Sequence, residues 1–218
     1  MIIRLNQDEI STAITSLDTY SRIFMGQYDH INWEIRFNSS FKNDDWKKVE
    51  MYEAARTEIL KQIRDIVLPD LKDFGFHGSY GIWNEKINPK AIDAYDLQQV
   101  IRYKDSWHRC PEGGHTRNFD YPWIRGRYPE AKAEINGDKG NYEMTLILLP
   151  KQLEIMEEAA RVHLYLHTGK FEELFKIYTS KDDALVLAKK AEEFNVASYP
   201  NVVKPAEEYL EILHRQSS

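Results

Sequence analysis

Apolar residues recur at three- and four-residue steps from Gln7 onward: Ile10, Ala13, Ile14, Leu17, Tyr20 and Phe24. That spacing predicts an amphipathic helix. The preceding MIIRLN is β-branched and reads as a short strand, with Asn6 as N-cap. Gly26 is placed to end the helix in a left-handed cap. A second helix is expected at roughly 28–37, then a polar loop, FNSSFKNDD. DDWKKVEMYEAARTEILKQIRDIVL predicts a long helix that stops before Pro69. DFGFHGSYGIWNEKINP is rich in glycine and aromatics and reads as loop. Asn88-Pro89 opens a helix to about Trp107, with Ala94, Leu97, Val100 and Ile101 as its apolar stripe.

Residues 110–130 show no periodicity and are punctuated by Pro and Gly, the mark of a long and often functional loop. AKAEIN, GDKG and NYEMTLILL predict a hairpin. Pro150 opens a helix that turns Leu153, Met156, Ala160 and Leu164 inward and ends at Gly169. KFEELFKIY follows, then SKDDALVLAKKAEEF with Ser180 as N-cap, and a last helix from Pro205. The expected fold class is α+β: predominantly helical, with a small antiparallel sheet, in one domain spanning 1–218.

The pattern also echoes itself. At an offset of 143, Met1 meets Met144, Ile3 and Leu5 meet Leu146 and Leu148, and Gly26 meets Gly169. GQYDHI then meets GKFEEL. This suggests an internal pseudo-twofold repeat of a strand-helix-helix unit, 1–37 against 144–180. Any two strand-helix-glycine-helix units can be slid into partial register, so chance similarity stays open beside duplication. Arg22 and Gln27 stand out because their counterparts, Tyr165 and Lys170, match neither.

Composition narrows the class. The chain is 42% hydrophobic and 29% charged, with a net charge of -6. It can build a sizeable core, and the acidic balance disfavours nucleic acid or anionic membrane as partner. No run of about 18 apolar residues exists, so no membrane span is expected. The single Cys110 fits a reducing compartment, and a soluble cytoplasmic protein is expected.

LDTYSRIFMGQYDHI, YDLQQVIRYKDSW and the following PEGG and FDYP resemble a family of uncharacterised phage and prophage proteins. The resemblance covers about residues 1–125. It implies a phage or mobile-element setting, hence the host cytoplasm. It also implies the habit of small phage proteins of binding host proteins, defence proteins among them. No chemistry attaches to the motifs.

The catalytic and metal patterns are incomplete. WHRCPEGGH groups His108, Cys110 and His115, with Asp120 as a fourth zinc ligand, but the paired spacing of a structural site is missing. His163 and His167 share a helix face without the glutamate of a zinc-hydrolase motif and read as packing. Glu50 and Glu53 form a lone acidic pair. There is no phosphate-binding glycine loop and no G-x-S-x-G. No cofactor or metal is expected, and the reading leans away from an enzyme.

The most unusual stretch is 101–130. Six basic residues face four acidic ones, and Trp107, Tyr121, Trp123 and Tyr128 lie among them. Arginine beside aromatics suits phosphate, bases or a protein hot spot. The plain alternative is a long loop pinned to an acidic body. On the helix beneath, Asp96, Gln99 and Arg102 form a polar ridge expected to face away from Leu97 and Ile101. Such a ridge lines a pocket or makes a buried network that holds the loop, and Arg22 and Gln27 join it if the first helix packs alongside. The expected binding residues are Arg22, Gln27, Asp96, Gln99, Arg102, Trp107, Arg117, Trp123, Arg125 and Arg127. The expected function is non-enzymatic binding of a host macromolecule through the 101–130 segment, a host protein before a nucleic acid, as an inhibitor of a host or defence protein. The alternative is a small nucleotide- or phosphate-binding protein, or a metal-dependent hydrolase built on Asp96, Arg102 and His108 or His115.

Overall fold

The computed structural model describes residues 1–30, 46–113, 124–125, 132–191 and 200–217. β1 (Ile2–Leu5) leads into α1 (Gln7–Met25), then come α2 (Trp46–Val67), a 3-10 turn at Pro69–Leu71 and α3 (Pro89–Arg109). A hairpin of β2 (Lys132–Asp138) and β3 (Asn141–Ile147) precedes α4 (Pro150–Thr168), α5 (Phe171–Lys176), α6 (Lys181–Ala191) and α7 (Pro200–Ser217). The chain is thus predominantly helical, with one three-stranded antiparallel sheet in the order β1-β3-β2.

The strands alternate as a half-buried sheet requires. β1 pairs with β3 from Ile2 opposite Ile147 to Leu5 opposite Met144. Ile3, Leu5, Ala133, Tyr142, Met144 and Leu146 are buried on the inner face, while Ile2 and Ile147 are exposed on the outer one. α1 packs on this sheet and against α3, α4 and α7. Its stripe of Ile10, Ala13, Leu17 and Tyr20 is fully buried. Asn6 and Glu9 form a reciprocal capping box at its start. α1 and α3 run antiparallel. Arg22 acts on Tyr95 near the start of α3, while Gln7 and Asp105 meet at the Tyr142 hydroxyl.

Both expected glycine stops are left-handed caps, Gly26 at φ 82° and Gly169 at φ 69°. The amide of Gln27 donates to Arg22 O at 2.9 Å, and the amide of Lys170 donates to Tyr165 O at 3.0 Å. These are the same six-to-one closing bond, at positions related by the offset of the sequence echo.

Several boundaries moved. The helix expected at 28–37 starts at Tyr28, and 31–45 lie outside the described residues. The hairpin turn is Lys139-Gly140, shorter than GDKG, because Gly137 and Asp138 still pair with Tyr142 and Asn141. The last helix starts at Pro200 and runs through Pro205. Proline already holds a helical φ, and one forfeited hydrogen bond is tolerated near a helix start when Ala206, Tyr209 and Leu213 bury one face.

Candidate functional site

The glycine- and aromatic-rich loop after α2 is a built structure, and one side chain organises it. Arg64 projects from the last turn of α2 and is fully buried. Its guanidinium donates to the carbonyls of Leu71 (3.1 Å), Phe74 (3.0 Å), Gly75 (2.7 Å), Phe76 (3.1 Å) and Gly78 (3.2 Å). Nε and Nη2 also reach Asp65 Oδ1 at 3.1 and 2.8 Å. A guanidinium is the one side chain with enough fixed donors for such a cage. The Tyr80 amide then donates to Met25 O at 2.8 Å, which ties the loop to the end of α1. Gly26 sits in that joint: a Cβ there would come 2.4 Å from Leu71 Cδ1.

So fixed, the loop presents two large aromatics to solvent, Phe74 at 57% and Trp83 at 56% exposure. Arg125 reaches this loop from the expected 110–130 segment. Its guanidinium donates to Ile82 O at 2.7 Å and Asn84 O at 3.3 Å, and its Cζ lies 5.8 Å from the Trp83 ring centroid. Its amide donates to Asp96 Oδ1 at 2.7 Å. Asp96 and Arg125 therefore act together, tying Arg125 to α3.

Of the two readings of the polar ridge, the structure favours a buried network at Gln99, which is buried with its neighbour Gln98. α3 is enclosed by α1, α4 and β2, so little of its circumference is left open. The Gln99 amide donates to Gln98 Oε1 at 2.9 Å, and Arg102 Nη2 donates to Gln99 Oε1 at 3.0 Å. Arg102 itself is exposed. α1 does bring its two residues alongside. Arg22 Nε donates to Asp18 Oδ2 at 2.7 Å, and Nη1 donates to Gln27 Oε1 at 2.8 Å. His30 Nε2 lies 3.6 Å from the same Asp18 oxygen. Burial, with Arg22 nearby, lowers the His30 pKa, against the opposing pull of Asp18 and Asp29.

Trp107 is half-buried, edge-on to Tyr103 and beside Gly113. Arg117, Trp123 and Arg127 lie outside the described residues. So do His115 and Asp120, and no group of three or more metal-ligating side chains occurs among the described ones. His108 packs against the Tyr142 ring at 4.5 Å. It cannot share a pocket with Asp96, since twelve residues of helix separate them by about 18 Å. Asp105 is buried under the same Tyr142, accepting from its hydroxyl and from Arg109.

No family model, no curated protein and no solved structure matches the chain.

Arg64, Phe74, Trp83 and Tyr95 were not among the expected site residues. The clustering of Gly and aromatics in DFGFHGSYGIW was the available signal for the middle two. Nothing in the sequence marks Arg64, whose role depends on chain that folds back from elsewhere, and Tyr95 is marked only as the first residue of YDLQQVIRYKDSW.

Proposed function

We infer that the chain is a non-enzymatic phage-type accessory protein that binds a host protein, in the manner of an inhibitor. One observation carries the reading: Phe74 and Trp83 stand more than half exposed on a loop whose backbone is held by buried Arg64 around Phe74 and by Arg125 on either side of Trp83. Large aromatics in solvent cost free energy unless something covers them, and aromatic and arginine side chains dominate binding hot spots. Holding them in place beforehand removes ordering entropy from the binding step. Arg125, stacked on Trp83, supplies the arginine.

The test is an affinity pull-down from host lysate with Phe74→Ala and Trp83→Ala, alone and combined. Both side chains are exposed, so melting temperature should hold. The double variant is expected to weaken capture of the specific partner on the order of 30-fold, the effect of about 2 kcal/mol. Undiminished capture by the double variant would overturn the reading.

A further inference from the structure

The outer face of the sheet is open, and one end of it is apolar. Ile2 and Ile147 are direct partners on β1 and β3. They stand 59% and 41% exposed. Leu149 follows in extended backbone, so alternation returns it to the same face, 43% exposed. Cross-strand register fixes what lies beside them. Lys132 on β2 flanks Ile147 from the other side, so Ile2, Ile147 and Lys132 form one row. Arg4, Thr145 and Glu134 form the next. Arg4, Lys132 and Glu134 are exposed. Thr145 separates Arg4 from Glu134 by two strand spacings, about 9.6 Å, and neither makes an ion pair among the described residues.

A second copy of the chain complements this face. Two sheets packed face to face keep their strands nearly aligned, and a two-fold axis along β3 relates two such copies. It lays each β3 over its copy and each β1 over the copy's β2. Ile147 and Leu149 then meet their own copies, and Ile2 lies against the aliphatic stem of the copy's Lys132. Arg4 faces the copy's Glu134, and this pair forms twice. A two-fold axis across the strands at Ile147 instead sets Lys132 on its own copy and leaves Arg4 and Glu134 unmatched. Along β3 the one like-charge contact is Glu143 on its copy, and Arg4 is the diagonal neighbour of Glu143. From Ile2 to Glu143 the face carries two bases, Arg4 and Lys132, and two acids, Glu134 and Glu143. It is therefore neutral on a chain of net charge -6. Two acidic chains repel least across a neutral patch, and such a patch gives an anionic lipid surface or a nucleic acid little to hold.

We propose that the chain self-associates through the outer face of its sheet, as a two-fold dimer centred on Ile147 and flanked by two Arg4–Glu134 pairs. The patch is small, about 14 Å across three strands and about 23 Å along seven residues. That is well below a standard interface, so monomer and dimer should exchange at concentrations on the order of tens of micromolar. The face looks away from α1, which packs on the inner side of the sheet. It is separate from the Phe74 and Trp83 surface, so either can fail without the other.

The experiment is sedimentation equilibrium of the whole chain from about 1 μM to about 1 mM, with charge variants. A reversible dimer is expected. Arg4→Glu sets two acids against each other at both pairs and should weaken association on the order of tenfold. Glu134→Arg should do the same with two bases. Arg4→Glu combined with Glu134→Arg restores both pairs with their signs exchanged and should recover the dimer. Lys72→Glu, at an exposed lysine after the 3-10 turn, changes the net charge as Arg4→Glu does and should leave the dimer intact. Melting temperatures of dilute samples control for folding. Three results would overturn the interface: a monomer throughout, equal weakening in Arg4→Glu and Lys72→Glu, or a double variant that associates no better than the single ones. A monomer that co-sediments with anionic phospholipid vesicles would assign the face to a lipid surface instead.

Discussion

Arg64 and Arg102 are the same residue type on the same kind of element, and burial divides their roles. Arg64 is caged by carbonyls and has become part of the backbone scaffold. Arg102 is exposed, and its guanidinium bonds only Gln99 among the described residues. The cage predicts a large cost for a conservative change. Arg64→Lys keeps the charge but loses the fork, leaving several of the caged carbonyls, which are buried or partly buried, unpaired. It should destabilise the protein by about 3 kcal/mol, read as a lower denaturant midpoint. A change under about 1 kcal/mol would show that water or a shifted loop replaces the cage.

At the scale of elements, the joint between α1 and the loop after α2 explains why a good helix stops at Gly26. The left-handed cap needs a residue without Cβ, and the space a Cβ would take is filled by Leu71. Gly26→Ala therefore meets two penalties. We expect a loss of about 2 kcal/mol, above the roughly 1 kcal/mol of left-handed strain alone. Thermal melts of Gly26→Ala with and without Leu71→Ala separate the two, since the smaller residue should recover the steric part only. The glycine stops, caps and apolar stripes were all legible beforehand, because each depends on residues within a turn or two. Which of its two readings the ridge of Asp96, Gln99 and Arg102 takes, pocket lining or buried network, was not. A helix enclosed on several sides carries no single polar face, and its periodicity cannot report how many neighbours surround it.

For the whole molecule, two buried histidines link stability to pH. His163 and His167 lie on one face of α4 with ring centroids 4.5 Å apart. Burial pulls the His163 pKa down to about 3 from an ordinary 6.5, with His167 adding to the effect. Burial lowers His167 as well. The unfolded chain therefore binds protons that the folded one refuses, so stability is retained above pH 6.5 and lost as pH falls below it. His163 alone should cost about 1 kcal/mol between pH 6.5 and 5.5, a window above ordinary carboxylate titration. Denaturation midpoints across that window should flatten in His163→Gln. An unchanged slope would show that His163 is not responsible.

Local chemistry in the sequence determined the fold class, the order of elements, the helix caps and the inward face of each strand, since all follow from periodicity and turn residues at short range. It also singled out Arg22, Gln27, Asp96, Arg102 and Arg125 as polar groups worth following. Only the tertiary structure decided what each does. Asp96 and Arg125 are spent on holding a loop, while Arg22 bonds Asp18 and Gln27 and Arg102 bonds Gln99. The deciding contacts join Arg125 to α3 and to the loop after α2. Whether a polar group is free or satisfied depends on partners that far along the chain, and no local pattern encodes them.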